Sequence, residues 1–418
     1  MKNIVAINTA NAGGGAEKVA YGLCKELHVR GYNSTMLARR IDYNVDPLAK
    51  ELVVPVPGSD TVYSAGNFLD EIFSTHSLFY LPTLKVPSMA IVRQADVIHM
   101  HNMHGYYFNM FTIATLMKKK PVVWTFHDMW PFTGKCVHAY DCERYTNACG
   151  NCPQLSAYPK LTRDTSRMQL KLKKRLFQKK DFMIVSPSEW LRGHIEKSFL
   201  SDHPVSVIPS PVDTKLFYPG NKRAAREIMQ IPHDKKVMLF IASWVNSIPS
   251  KGIRTFKALL KALYEQRSDL YTIVIGNLEN KTVLGDQFAG KETGWIGNAN
   301  DLRMYYSAAD ILVSPTLAEN SSCTIVEAMA CGTVPVAFAV GGVPEQITRG
   351  ETGLLIPPGN TQELIQAVDA ILNRDDRREA MAKNAAETAR AKYSMDKFVE
   401  KYLEVYSLAM KQKGSDKI

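Results

Sequence analysis

Short apolar runs, each closing on a small or polar outlet and followed by a helical stretch, recur along this chain in two separate series. The first runs through Lys2–Ile7, Ser34–Ala38, Asp96–His101, Val122–Asp128 and Asp181–Ser188; the second through Lys236–Ala242, Tyr271–Gly276, Gly294–Gly297, Ile311–Ser314 and Val334–Val340. Strands alternating with helices close into parallel sheets with helices on both faces, so the expected class is α/β with two facing parallel-sheet domains and a cleft between them. A length of 418 residues suits two cores. Prolines punctuate Val205–Pro211, which sets the expected division into 1–208 and 209–394. A last helix over 395–418, with Phe398, Tyr402 and Tyr406 at i, i+4 and i+8, is expected to pack back on the first domain. The irregular, aromatic-bearing stretch 57–92 reads as lid-like helices or a substrate-facing insertion.

The composition, 45% hydrophobic and 22% charged, is that of an ordinary globular protein, and no window approaches the 18 apolar residues of a membrane span. The N-terminus reaches polar Asn8 and then glycine too soon for a signal peptide, so a cytoplasmic location is expected. Net charge is +10, and nine basic residues between Lys160 and Lys180 face one acid, Asp164. Met168, Leu172 and Leu176 recur there at i, i+4 and i+8, which predicts an amphipathic helix ringed by cations. Such a helix either lies on anionic lipid headgroups, placing the protein peripherally on the inner face of the cell membrane, or is solvated and packed by its one apolar stripe. No nucleic-acid partner is expected, because aromatic interleaving and any binding module are missing.

Glu319 and Glu327 flank a strand–loop–helix junction, with Ile311–Ser314 before them and a short helix stopped by Gly332 after them. Loop amides at a helix start suit an anion, and two carboxylates suit hydroxyls; a phosphate-bearing sugar has both. The plainer reading is a capping box made by Thr324 with Glu327. Gly13-Gly14-Gly15, between the first strand and its helix, is either a phosphate-approach loop or a tight turn, and its spacing is not that of a dinucleotide fingerprint. Lys251, at a helix N-terminus, reads as a phosphate ligand or as an exposed lysine. Two strands deliver His101, His104, His127 and Asp128 to one sheet edge, as functional groups or as structural histidines. Cys136, Cys142, Cys149 and Cys152 cluster in the loop 130–155. They are either a structural zinc clamp or unmetallated thiols in a compact loop.

In order along the chain, Gly13–Glu17, Thr125–Asp128, Ser186–Ser188, Val207–Asp213, Lys251-Gly252, Asp310–Pro315, Glu319–Glu327 and Gly341–Glu345 resemble family 4 retaining glycosyltransferases of GT-B architecture, whose two domains are Rossmann-like. Within that family, Trp124–Thr133 and the cysteine loop resemble enzymes of colanic-acid-type exopolysaccharide synthesis. The resemblance implies metal-independent transfer of a sugar from a nucleotide diphosphate-sugar to the hydroxyl of a saccharide or lipid-linked acceptor, with no cofactor required. It implies that Glu319 holds donor-sugar hydroxyls beside the amides of Asn320, Ser321, Ser322 and Cys323, and that Glu327 binds the ribose. It further implies that Lys251 meets the diphosphate, that Gly14 and Gly15 close over the phosphates, and that His127 sits at the reacting face. His101, His104 and Asp128 fall to the acceptor side.

The sequence departs from the family at two places. Trp244-Val245-Asn246 stands where an arginine usually precedes the lysine, leaving Arg254 as a substitute, and Asn-Ser-Ser follows Glu319 where Gly-Phe-Gly is common. The competing expectations are an inactive sugar-binding scaffold, favoured by the missing arginine, and a nucleotide-sugar epimerase of the same architecture.

Overall fold

A computed structural model describes residues 1–244, 251–277 and 282–415. The chain divides into two compact units, Met1–Pro209 with Val399–Ile418, and Ser210–Phe398.

The first unit is built on a seven-stranded sheet, ordered β3-β2-β1-β4-β5-β6-β7. Its strands are β1 (Asn3–Ala10), β2 (Asn33–Arg40), β3 (Val53–Pro55), β4 (Val97–Met100), β5 (Val122–Thr125), β6 (Met183–Ser186) and β7 (Val205–Val207). Every pairing is parallel. Helices on both faces explain why β4, β5 and β6 are buried at every residue and read as continuous apolar runs rather than alternations. Strand order reverses between β1 and β4, so the C-terminal ends of those strands flank the crevice where open α/β sheets hold ligands. The stretch 57–92 forms a helix, Asp60–Ile72, a 3-10 segment, Leu81–Ser88, and a short helix, Ala90–Gln94. In the last helix, Met395–Ser415, Tyr402 and Tyr406 are buried: the Tyr402 hydroxyl bonds Thr125 Oγ1 and the Tyr406 hydroxyl bonds His99 Nδ1, each at 2.8 Å.

The second unit carries a six-stranded parallel sheet, ordered β10-β9-β8-β11-β12-β13. Its strands are β8 (Lys236–Trp244), β9 (Leu270–Asn277), β10 (Gly290–Glu292), β11 (Ile311–Ser314), β12 (Val334–Phe338) and β13 (Leu354–Ile356). The strand expected at Gly294–Gly297 is a loop; the pairing residues lie earlier, at β10, where Gly290 packs 2.4 Å (from a would-be Cβ) against the Thr272 carbonyl. Here the order reverses between β8 and β11. Asp310, just before β11, is 4% exposed and is held by Arg226, Lys222 and the Val237 amide, which ties three elements under the sheet.

Candidate functional site

In the first unit, β1 ends in the glycine loop. Gly13 adopts φ +125°, outside what a side chain tolerates, and Gly14 is the N-cap of the helix Gly15–Val29 without a side-chain cap. The loop is pinned through Asn11, which donates to the Asp42 carbonyl at 2.9 Å and accepts from the Asp42 amide at 2.8 Å. Beyond β4 and β5, the expected histidines do come together. His101 Nδ1 lies 3.0 Å from His127 Nε2, and His104 Nε2 lies 2.6 Å from Asp128 Oδ2. Burial pushes the His127 imidazole down to about 4, and burial with neighbouring imidazoles holds His99 and His101 well below their ordinary value. These rings are therefore neutral at pH 7, and each can donate a hydrogen bond from one ring nitrogen and accept one at the other without carrying charge. Burial raises the Asp128 carboxyl, but the charge and hydrogen bond of His104 and the Trp130 amide outweigh it and leave it below its usual range. His99, not anticipated, joins this set from within β4; its Nε2 lies 2.8 Å from Thr125 Oγ1. Its partner Tyr406 is more than 300 residues away in sequence, so only a pattern of buried polar residues on facing elements carried any signal.

In the second unit, the loop after β11 brings Glu319 to Lys251: Lys251 Nζ to Glu319 Oε2 is 2.9 Å. Glu319 chiefly, against burial, lifts the Lys251 ammonium above its ordinary value, so Lys251 is charged at neutral pH. Two glycines make the meeting possible. Gly252 (φ +78°) presses so close to the Pro315 carbonyl that a Cβ would lie 1.9 Å from it, and Gly341 (φ +54°) presses as closely on the Glu319 carbonyl, 1.7 Å. Of the stretch Trp244–Asn246, where the family arginine is missing, residues beyond Trp244 lie outside the described residues. Arg254 is exposed on the first turn of the helix Ile253–Gln266, whose N-cap is Gly252.

The capping-box reading fails. The helix Cys323–Ala330 is capped by Ser322, whose hydroxyl accepts from the Ile325 amide, so Thr324 lies already inside the helix. Glu327 is instead 7% exposed and accepts the Tyr306 hydroxyl at 2.8 Å. Gln346, which the sequence reading missed, clamps the cap from both sides: its Oε1 accepts from the Ser322 amide at 2.9 Å and its Nε2 donates to the Ser322 carbonyl at 3.1 Å. The Asn320 amide faces Glu319 Oε1 at 3.2 Å, and Ser321 Oγ accepts from the Ser210 amide at 3.4 Å. Cys323 is the first residue of the helix.

The basic segment forms the helix Ser166–Phe177, but its buried face is Gln169, Leu170, Lys173 and Phe177. Met168, expected in the apolar stripe, is 44% exposed, while Lys173, counted among the surface cations, is fully buried. The register turned because Lys173 carries a buried amine that finds carbonyls, at 2.6 Å from Trp130 O and 3.0 Å from Thr133 O. Cys136, Cys142, Cys149 and Cys152 are unbridged and line one small cavity. Among the described residues no group of three or more His, Cys, Asp or Glu side chains is placed so that it could hold a metal ion, the four cysteines included. No described helix is long and apolar enough to cross a membrane.

Residues 13–216 match the family described as Glycosyltransferase Family 4, and residues 221–388 match Glycosyl transferases group 1. A D-inositol 3-phosphate glycosyltransferase of Actinosynnema mirum is 32% identical over 218 residues, 49% of this chain and 52% of that protein. The chain thus spans about half the length of the curated relatives it matches. Among solved structures, sucrose-phosphate synthase from Thermosynechococcus elongatus is similar over 98% of this chain and 99% of its own, with a TM-score of 0.70 at 19% identity. Anabaena Alr3699/HepE, solved in complex with UDP, is similar over 97% of this chain and 100% of its own, with a TM-score of 0.68 at 16% identity. With family matches running in tandem from residue 13 to residue 388 over two Rossmann-like units of GT-B type, the chain belongs to the family 4, group 1 glycosyltransferases.

Proposed function

We propose that this protein transfers a sugar, with retention at the anomeric carbon and without a metal, from a nucleoside diphosphate-sugar to a hydroxyl of a saccharide or lipid-linked saccharide. The observation that carries the reading is the Lys251–Glu319 contact, 2.9 Å from ammonium to carboxylate, at the reversal point of the second sheet. An ammonium there is placed to take up charge on a departing diphosphate, and a carboxylate beside it to grip sugar hydroxyls. Uridine diphosphate is the first leaving group to try, because the Alr3699/HepE structures hold UDP and UDP-glucose. Glu327, buried at the adjoining helix, is assigned to the ribose hydroxyls, and Gly14 and Gly15 to the phosphates. His127 is assigned to the reacting face, and His101, His104 and Asp128 to the acceptor side.

In the reaction, the bond from the anomeric carbon to the diphosphate oxygen breaks and a bond to the acceptor oxygen forms on the same face. The acceptor's proton passes to the departing phosphate. A phosphorylated polyol, the acceptor in the names of the relatives, is a second acceptor class worth including. The proposal also places the exposed cations of the helix Ser166–Phe177 against an anionic headgroup surface, which suits a lipid-linked acceptor.

The test is a donor screen with anomeric analysis of the product, run beside Glu319→Gln. The variant should keep its fold and lose turnover by ~100-fold or more. Wild-type rate in the variant, or product inverted at the anomeric carbon, overturns the mechanism; an epimerised nucleotide sugar overturns the reaction class.

A further inference from the structure

Strands β4 and β5 pair so that His99 stands beside Val123 and Met100 beside Trp124. Side chains alternate along a strand, so Ile98, Met100, Val122 and Trp124 share one face, and these four belong to one apolar core. His99 and Thr125 point to the other face. His101 follows His99 by two residues, and His127 follows Thr125 by two, both past the strand ends. The last helix sets Tyr402 and Tyr406, one turn apart, against this second face, within the first unit.

His99, His101, Thr125, Tyr402 and Tyr406 are each no more than 2% exposed. Strands buried in a parallel sheet ordinarily carry valine, isoleucine or leucine on both faces. Polar side chains at such depth are costly unless bonded, and a bonded network rigidifies its members and selects one arrangement.

The bonds run in series. The Tyr402 hydroxyl lies 2.8 Å from Thr125 Oγ1, Thr125 Oγ1 lies 2.8 Å from His99 Nε2, and His99 Nδ1 lies 2.8 Å from the Tyr406 hydroxyl. The neutral His99 ring holds one proton, so it donates in one of its two bonds and accepts in the other. The hydroxyl that donates to it therefore sets which nitrogen carries the proton. A flip of the ring about its own axis would break both bonds at once.

The fixed ring is in turn a support. His99 lies against His101, with centroids 4.0 Å apart at 41°, and His101 Nδ1 lies 3.0 Å from His127 Nε2. Tyr402 and Tyr406 flank the His99 ring from the helix side, with centroids 5.0 Å and 5.5 Å away. Every step from the Tyr406 hydroxyl to His127 is a hydrogen bond or a ring contact, and close-packed interiors transmit displacement along such contacts.

We propose that Tyr402 and Tyr406 are positioning residues that act through Thr125 and His99 to hold the His101–His127 pair in one orientation at the ends of β4 and β5. The inference rests on the place proposed for His127 at the reacting face. Both tyrosines are buried, so their contribution is made through the histidines and not by touching a substrate.

The test removes the hydroxyls alone, in the full chain. Tyr406→Phe and Tyr402→Phe should each lower kcat by ~10-fold and leave the donor KM unchanged, because no member of the network is assigned to the nucleotide. With isotopically labelled histidine, the imidazole nitrogen resonances of His101 and His127, assigned through His101→Gln and His127→Gln, should move in both variants. Tyr63→Phe is the control: it removes the hydroxyl of another buried tyrosine, bonded to the Pro57 carbonyl at 2.9 Å, and should leave those resonances and kcat in place. In the unaltered protein His99 should show a single tautomer, a measurement that stands even if neither variant folds. Resonances of His101 and His127 that stay in place in both variants, equal movement in Tyr63→Phe, or a His99 ring averaged between tautomers each overturns the inference. Resonances that move while kcat holds overturn instead the place of His127 at the reacting face.

Discussion

Gly341→Ala separates the geometry of the Glu319 loop from the general cost of left-handed backbone. A Cβ on Gly341 would lie 1.7 Å from the Glu319 carbonyl oxygen, half the 3.4 Å at which ordinary contact begins. Gly359, at φ +76°, has nothing within 4 Å of the same atom and serves as the control. A left-handed alanine costs about 1–2 kcal/mol, and each kcal/mol lowers Tm by roughly 2–4 °C in a unit of this size. Gly359→Ala should therefore melt ~2–8 °C lower and keep its activity. Gly341→Ala carries the same strain and must also push the Glu319 carbonyl away by more than ~1 Å, and the carboxylate that meets Lys251 moves with it. A shift of about that size costs on the order of 100-fold in turnover. Differential scanning fluorimetry and initial rates on both variants decide the matter. Equal melting losses with undiminished turnover in Gly341→Ala would refute the view that this glycine sets the position of Glu319.

Tyr306→Phe keeps the ring but removes the hydroxyl that Glu327 accepts at 2.8 Å, leaving a buried carboxylate short of a partner. It should lower stability by about 1–3 kcal/mol and weaken nucleotide binding, read by melting and calorimetry; unchanged values in both would free Glu327 from that role. Acid should destabilise the first unit. His127 titrates near 4 when folded and near 6.5 when unfolded, and His99 and His101 are displaced the same way, so the unfolded chain binds more protons across that window. The stability these rings contribute is complete above 6.5 and is lost as pH falls towards 4, so Tm should decline through that window and decline less in His127→Gln; a flat profile contradicts the burial argument. With vesicles containing anionic lipid the protein should float at low salt, and Lys171→Glu with Lys174→Glu and Arg175→Glu should abolish flotation, whereas flotation that survives charge reversal removes the headgroup proposal.

The parallel strands were legible because burial on both faces writes them as continuous apolar runs, and the outlets at Asn8, His101, His127 and Glu319 follow from where those runs end. The meeting of Lys251 with Glu319 was legible only through the family resemblance. Local pattern misled where a distant partner decides. Thr324 and Glu327 have the spacing of a capping box, yet Ser322 wins the cap because Gln346 holds both its amide and its carbonyl. Met168, Leu172 and Leu176 have helical spacing, yet the helix turns to bury Lys173, whose amine finds two carbonyls from the β5 loop and an indole face. A hydrophobicity pattern counts that lysine as surface, and nothing within ten residues of it says otherwise. His99 escaped notice for the same reason, since its partners come from β5 and from the last helix.

The charge at the start of the helix Ile253–Gln266 bears on what the second unit is built to hold. Its first turn carries Arg254 and no acid, and Lys251 stands immediately before its cap. Two cations at the positive end of a helix dipole are each unfavourable by about 0.3–1 kcal/mol. Glu319 offsets one of them, since its carboxylate stands 2.9 Å from Lys251. Arg254 remains exposed on the same turn. Under the proposed function, a diphosphate brings the negative charge that this end of the helix still lacks. Relief of repulsion already built into the fold would then contribute to binding, and would take up part of the charge that the missing family arginine would have shared.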